Sequence, residues 1–147
     1  MTNLTRPPGL MTRTRLGGAL LLVAVLPGCT EASGESGPPP EVLRGREVYQ
    51  EQFCGTCHTL TSAETAGMFG PTHDGMAGTA EDRLSDPSYA GSAETARAYL
   101  LESIVEPAAF RAPGFERTRF VMPSYEHLPD EDLDALVEML IRENHPE

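Results

Sequence analysis

The chain has 147 residues and a formal charge of −11, with eleven basic residues, all arginine, against twenty-two acidic ones. That balance excludes nucleic acid and anionic lipid headgroups as partners and fits partners that present positive charge. Charge goes no further than partner choice.

Residues 1–28 read as an export leader. Arg6, Arg13 and Arg15 precede an apolar run from Leu16 to Leu26 that is too short to span a bilayer, and no acid comes before it. The run closes on Leu26-Pro27-Gly28-Cys29, which resembles a bacterial lipoprotein signal. That resemblance implies that Cys29 becomes the lipidated first residue of an exported protein, anchored to a membrane and facing the periplasm or cell exterior. The alternative is an ordinary cleaved leader that leaves an unpaired thiol, a liability in an oxidising compartment. Met11-Thr12-Arg13 can itself begin a leader of ordinary length, so Met1 and Met11 both stand as starts. Without residues 1–28 the chain keeps 119 residues, enough for one small domain with a modest core, and a charge of −14, because three arginines and no acid are removed. Residues 29–40 are small, polar and proline-rich, a composition that cannot bury enough surface to fold and serves as a flexible tether.

The folded domain is expected over residues 41–147. From Glu41 the residues Val42, Gly45, Tyr49 and Phe53 recur at helical spacing. They lead into Cys54-Gly55-Thr56-Cys57-His58, the C-x-x-C-H attachment signature for c-type haem. Two thiols at this spacing can each add to one haem vinyl group as a thioether, and the histidine that follows can donate an imidazole nitrogen to the iron. A zinc site would need a second cysteine or histidine pair, which the chain lacks. A redox dithiol would sit in a βαβ pattern, and none is visible. A single such motif implies a single haem c.

Thr59–Gly91 reads as a long loop containing Met68, His73 and Met76. A second helix is expected over Ala93–Val105, with Ser92 as N-cap, Pro107 beyond its end, and Tyr99, Leu100, Ser103 and Ile104 on its inner face. Pro107–Leu128 reads as a second long loop, in which Phe110 to Phe120, with its three arginines, wraps the haem edge. Pro129, at a first-turn position, then opens the clearest helix. Acids from Asp130 to Asp132 suit its N-terminus, and Leu133, Leu136, Val137, Leu140 and Ile141 form one apolar stripe. No segment alternates as a strand should, so the fold class is all-α. Loops this long need something to fill the middle, and haem supplies an apolar surface against which they can pack.

Several pieces, in this order, resemble a class I cytochrome c over about Glu41–Glu143, most nearly the bacterial domains fused to subunit II of haem-copper oxidases. Gly45-Arg46-Glu47-Val48-Tyr49 is similar to the family's N-terminal helix, in which a glycine and an aromatic let the first and last helices cross closely. The haem motif follows. Gly70-Pro71 resembles the segment whose proline carbonyl accepts the proton of the proximal histidine's other ring nitrogen, orienting His58. Val121-Met122-Pro123, ahead of Leu128-Pro129-Asp130-Glu131-Asp132-Leu133, is similar to the distal loop and C-terminal helix. The departure is Pro129, where a serine or threonine cap is common. The resemblance implies a cytochrome c fold with His58 and Met122 as axial ligands of the iron; Met68 and Met76 compete for the second role, while Met139 belongs to helix packing or solvent. Tyr99 and Arg83 match the type of residue that bonds propionates in this family. His73 is either near a propionate or a solvated loop histidine, and His127 and His145 are expected to be exposed.

The function this implies is single-electron transfer outside the cytoplasm, in a respiratory chain, by a carrier that is not itself an enzyme. Its partners are redox proteins that donate and accept electrons. Two rival readings are a permanent subunit of an oxidase or dehydrogenase complex, and a haem sensor or peroxidase with an open distal site.

Overall fold

The computed structural model describes residues 37–142; Cys29, the leader, most of the tether and His145 lie outside the described residues. Among the described residues there are four α-helices, α1 (Pro40–Glu51), α2 (Met76–Leu84), α3 (Ala96–Val105) and α4 (Asp130–Arg142), and two 3-10 turns, Cys54–Thr56 and Thr61–Ala63. A ladder of two short strands, β1 (Thr59–Leu60) and β2 (Thr65–Ala66), pairs Thr59 with Ala66 and Leu60 with Thr65 in antiparallel register. The all-α expectation holds, with this ladder as its one small addition. None of the described helices is long and apolar enough to cross a membrane.

α1 opens on Pro40, whose missing N–H costs nothing in a first turn, and Glu41 faces the positive end of the helix dipole. Its buried face is Val42, Gly45, Val48 and Tyr49. The stripe stops there. Phe53 does not continue it: the helix ends at Glu51, and Phe53 turns the chain with left-handed backbone (φ 56°), which leaves its ring 76% exposed. The turn carries the next residue, Cys54, towards the interior.

α1 crosses α4, the most extensive helix contact in the fold. Gly45 makes the crossing possible. A Cβ at that position would collide with the Ala135 carbonyl oxygen and lie 2.6 Å from the Cβ of Met139. α4 buries Leu133, Leu136, Val137 and Leu140 as its stripe predicts, and Met139 is fully buried, in a packing role. Arg44 of α1 forks onto Asp132 of α4 with bonds of 2.8 and 2.9 Å, and Arg97 of α3 reaches Asp134 and Glu138 of the same helix. The acidic start of α4 is therefore partly spent on fixing its neighbours.

Two expected boundaries change. α2 lies inside the segment read as a loop; it is short, and a glycine and a threonine dilute its helical signal, but Met76 and Ala80, four residues apart, form its buried face. α3 begins three residues later than expected. Its N-cap is Thr95, whose side chain accepts from the Ala98 N–H, while Ser92 bonds Glu102 through both its N–H (2.7 Å) and its hydroxyl (2.8 Å). Tyr99, Leu100 and Ile104 are buried as expected. Residues 107–128 contain neither helix nor strand, as expected.

Candidate functional site

The haem motif folds as a tight turn closed by the Cys57 and His58 N–H groups, both donating to the Cys54 carbonyl at 3.1 Å. Cys54, Cys57 and His58 thereby come to one wall of a large cavity. The two cysteines are not joined to each other as a disulfide. Burial pushes the Cys54 thiol up to about 11, the reverse of what a reactive C-x-x-C dithiol requires. Among the described residues no group of three or more His, Cys, Asp or Glu side chains could hold a metal ion. Neither rival reading of the cysteines gains support from its surroundings.

His58 is the one buried polar residue among those described, and its ring is held on several sides. Its Nδ1 lies 2.7 Å from the Pro71 carbonyl oxygen, so Nδ1–H donates there and the Nε2 lone pair is left over. The backbone of Gly70 covers the ring closely: a Cβ at Gly70 would sit 2.8 Å from Nδ1 and closer still to Cε1. Burial, which the Pro71 bond only partly offsets, lowers the imidazole pKa and keeps it neutral, the state a metal ligand needs.

His73 corrects one expectation. It is not a solvated loop histidine, because its ring stacks on His58 with centroids 3.9 Å apart and planes 15° from parallel. The Tyr49 ring meets His73 edge-on at 5.7 Å. Burial, with His58 and Arg83 nearby, holds the His73 pKa well below its ordinary value. Its buried Nδ1 and the Tyr49 hydroxyl have no hydrogen-bond partner. A sequence signal existed: His73 stands two residues after Pro71, on the strand of chain that bonds His58, and its own N–H donates to Thr59 at 2.7 Å.

Met122 borders the same cavity from the loop between α3 and α4. That stretch is tied back to the end of α3, where the Tyr125 N–H donates to the Ile104 carbonyl (3.1 Å) and the Ser124 hydroxyl to the Val105 carbonyl (2.7 Å). Of its competitors, Met68 is 84% exposed and does not line the cavity; Met76 is buried and does, from the segment that also carries His73. Arg83 donates to the Tyr99 hydroxyl at 3.0 Å, and both residues border the cavity, as does Arg111. Phe110 packs edge-on against Tyr89 at 5.3 Å, which anchors the start of the loop expected to wrap the haem edge. His127 is exposed, as expected.

These residues fit haem c. Two thiols and a neutral imidazole share one wall, aromatic and aliphatic side chains supply the rest, and no carboxylate lines the cavity in a chain with twenty-two acids. Arg83, Arg111 and the Tyr99 hydroxyl are suitable partners for negatively charged propionates. The family model for cytochrome c matches residues 42–140. Neither a curated protein nor a solved structure matches the chain.

Proposed function

Because the chain belongs to the cytochrome c family and holds one covalent haem c, we propose that it is an exported, lipid-anchored electron carrier of a respiratory chain, with His58 and Met122 as the axial ligands. In this reading Cys29 carries the anchor, residues 29–40 are the tether, and residues 41–147 are the cytochrome domain. Bound haem c supplies an iron that gains or loses one electron. The chain's own residues hold that iron in one geometry. Cys54 and Cys57 tether the group, His58 offers Nε2, and the Pro71 carbonyl keeps the proton on Nδ1 and raises the basicity of the ligating nitrogen. Gly70 and His73 both pack against the ring and restrain it. With His58 and Met122 both holding the iron, the group would be closed to water and small molecules, which would suit electron transfer and leave no open position for catalysis.

The observation that carries this reading is the 2.7 Å contact between His58 Nδ1 and the Pro71 carbonyl, on the wall of a cavity that Met122 also borders. Met76 borders it too, but from the segment whose His73 stacks on His58, whereas Met122 comes from a separate loop. Absorption spectra of the ferric and ferrous protein, with and without carbon monoxide, test the assignment on wild type and Met122→Ala. The expected result is a low-spin wild type indifferent to carbon monoxide and a variant that binds it. A wild type that binds carbon monoxide readily would sink the closed-site reading and favour a ligand-binding protein.

A further inference from the structure

Beyond Pro71 the chain turns back along the residues that follow His58 and is bonded to them on both sides of His73. The His73 N–H donates to the Thr59 carbonyl at 2.7 Å, and the Thr72 hydroxyl donates to the same carbonyl at 3.3 Å. Asp74 closes the pairing, accepting from the Thr61 N–H at 2.8 Å and from the Thr61 hydroxyl at 2.9 Å. None of Thr59, Thr61, Thr72 and Asp74 lines the cavity, so the protein places His73 whatever fills that cavity. The ring is fixed as firmly as the backbone. One face lies on His58, and the Tyr49 ring of α1, itself 1% exposed, packs against it at 69°.

Filling space does not account for an imidazole at this position. Its buried Nδ1 has no hydrogen-bond partner, a cost that an aliphatic side chain of similar volume would avoid. Imidazole is, however, the smallest side-chain ring, and here it is close: its centroid lies 3.9 Å from that of His58, nearer than the about 4.5–7 Å that neutral aromatic pairs favour. The negative π faces of two neutral rings oppose such an approach. Positive charge on one of the rings reverses the sign, because the face of the other then attracts it. An imidazole that donates its lone pair to iron becomes positive in this way, and more so to ferric than to ferrous iron. Low dielectric in a buried stack strengthens the attraction.

We propose that His73 is a positioning residue that sets the redox balance of the site: its π face stabilises the positive charge on the His58 imidazole when the iron is ferric, and so lowers the reduction potential. The proposal rests on the reading of His58 as an iron ligand in an electron carrier. It separates His73 from Gly70 and Pro71, which orient the imidazole through backbone atoms. His73 adds an interaction that differs between the two oxidation states.

The test is the reduction potential of the haem-loaded protein at neutral pH, measured by spectroelectrochemistry on wild type, His73→Leu, His73→Met and His73→Phe. His73→Leu and His73→Met fill the space without a π face and should each shift the ferric–ferrous equilibrium about three- to tenfold towards ferrous. His73→Phe restores an aromatic face and should hold the equilibrium within about twofold of wild type. All three should stay low-spin and closed to carbon monoxide. An equal shift in His73→Phe and His73→Leu would assign the effect to the lost polarity of the imidazole and overturn the proposal. So would no shift in His73→Leu and His73→Met, or a shift towards ferric, in each case with the carrier reading intact. Phenylalanine is the larger ring; if that variant does not take up haem, the leucine and methionine variants decide the matter. A wild type without a reversible one-electron couple would remove the carrier reading and this proposal with it.

Discussion

The two walls of the cavity are built by different means. The His58 wall is short-range and tightly bonded: residues 54–73 close a turn on Cys54, pair β1 with β2, donate from His58 to Pro71 and press Gly70 and His73 against the imidazole. The Met122 wall is a loop without helix or strand, tied back mainly through Ser124 and Tyr125 to the end of α3. Of the two ligands proposed above, His58 is thus placed by the packing of its own neighbourhood. Met122 is placed by where a loop is tied down. Substitutions should reach His58 through clashes and Met122 through loss of occupancy.

The largest effect is expected at Gly45, outside both walls, because both depend on the α1–α4 crossing. Gly45→Ala forces a Cβ against the Ala135 carbonyl and should destabilise the haem-loaded protein by about 1–3 kcal/mol in guanidinium denaturation. No change in midpoint would mean that the two helices can part at no cost. Gly70→Ala comes next, with a similar clash aimed at the His58 ring. It should lower stability and also alter the proximal geometry, visible as changed g-values in the ferric low-spin EPR spectrum; an unchanged spectrum would refute close packing of Gly70 on the ligand.

Met122→Ala tests the other wall. It should open the iron to carbon monoxide while costing less stability than Gly70→Ala, since residue 122 is half-buried in a loop. Phe53→Gly is expected to move the other way. Glycine accepts the left-handed backbone of Phe53 without strain, so the melting temperature should rise by a few degrees, equivalent to about 0.5–1 kcal/mol. A fall would show that the Phe53 ring stabilises the fold.

The smallest effect is electrostatic. The bond from Arg44 lowers the Asp132 pKa below its ordinary 3.8, so this pair contributes stability above that pH and loses it as pH falls through the lowered value. Asp132→Asn should flatten the acid limb of the stability curve below pH 3.8 and leave the proximal EPR signature alone. An acid limb identical to wild type would show that the pair does not couple α1 to α4.

Local chemistry was readable wherever it depended on neighbouring residues in the chain. Cys54-Gly55-Thr56-Cys57-His58 announces thioethers and a ligand through spacing alone, and the stripe Leu133, Leu136, Val137, Leu140 declares one buried face of α4 through its helical period. Gly45 and Gly70-Pro71 were legible only through family resemblance, since nothing in their immediate sequence tells which atoms they will meet. α2 escaped because nine weakly helical residues acquire their helix from burying Met76 and Ala80, a tertiary contribution that exceeds local propensity.

His73 and the arginines draw the same line more sharply. As a residue type His73 is a surface histidine; only the return of the chain at Pro71 stacks it on His58. Composition determines a net charge and nothing about its distribution. The fold assigns most of that negative charge to places other than the cavity and leaves Arg111, Arg117 and Arg119 about its mouth. By itself the sequence determined the covalent chemistry, the all-α class and the amphipathic faces, because these follow from residues adjacent in the chain or one helical turn apart. Tertiary structure alone decided which side chains flank the His58 imidazole and that no carboxylate lines the cavity, because both depend on segments brought together only when the chain folds.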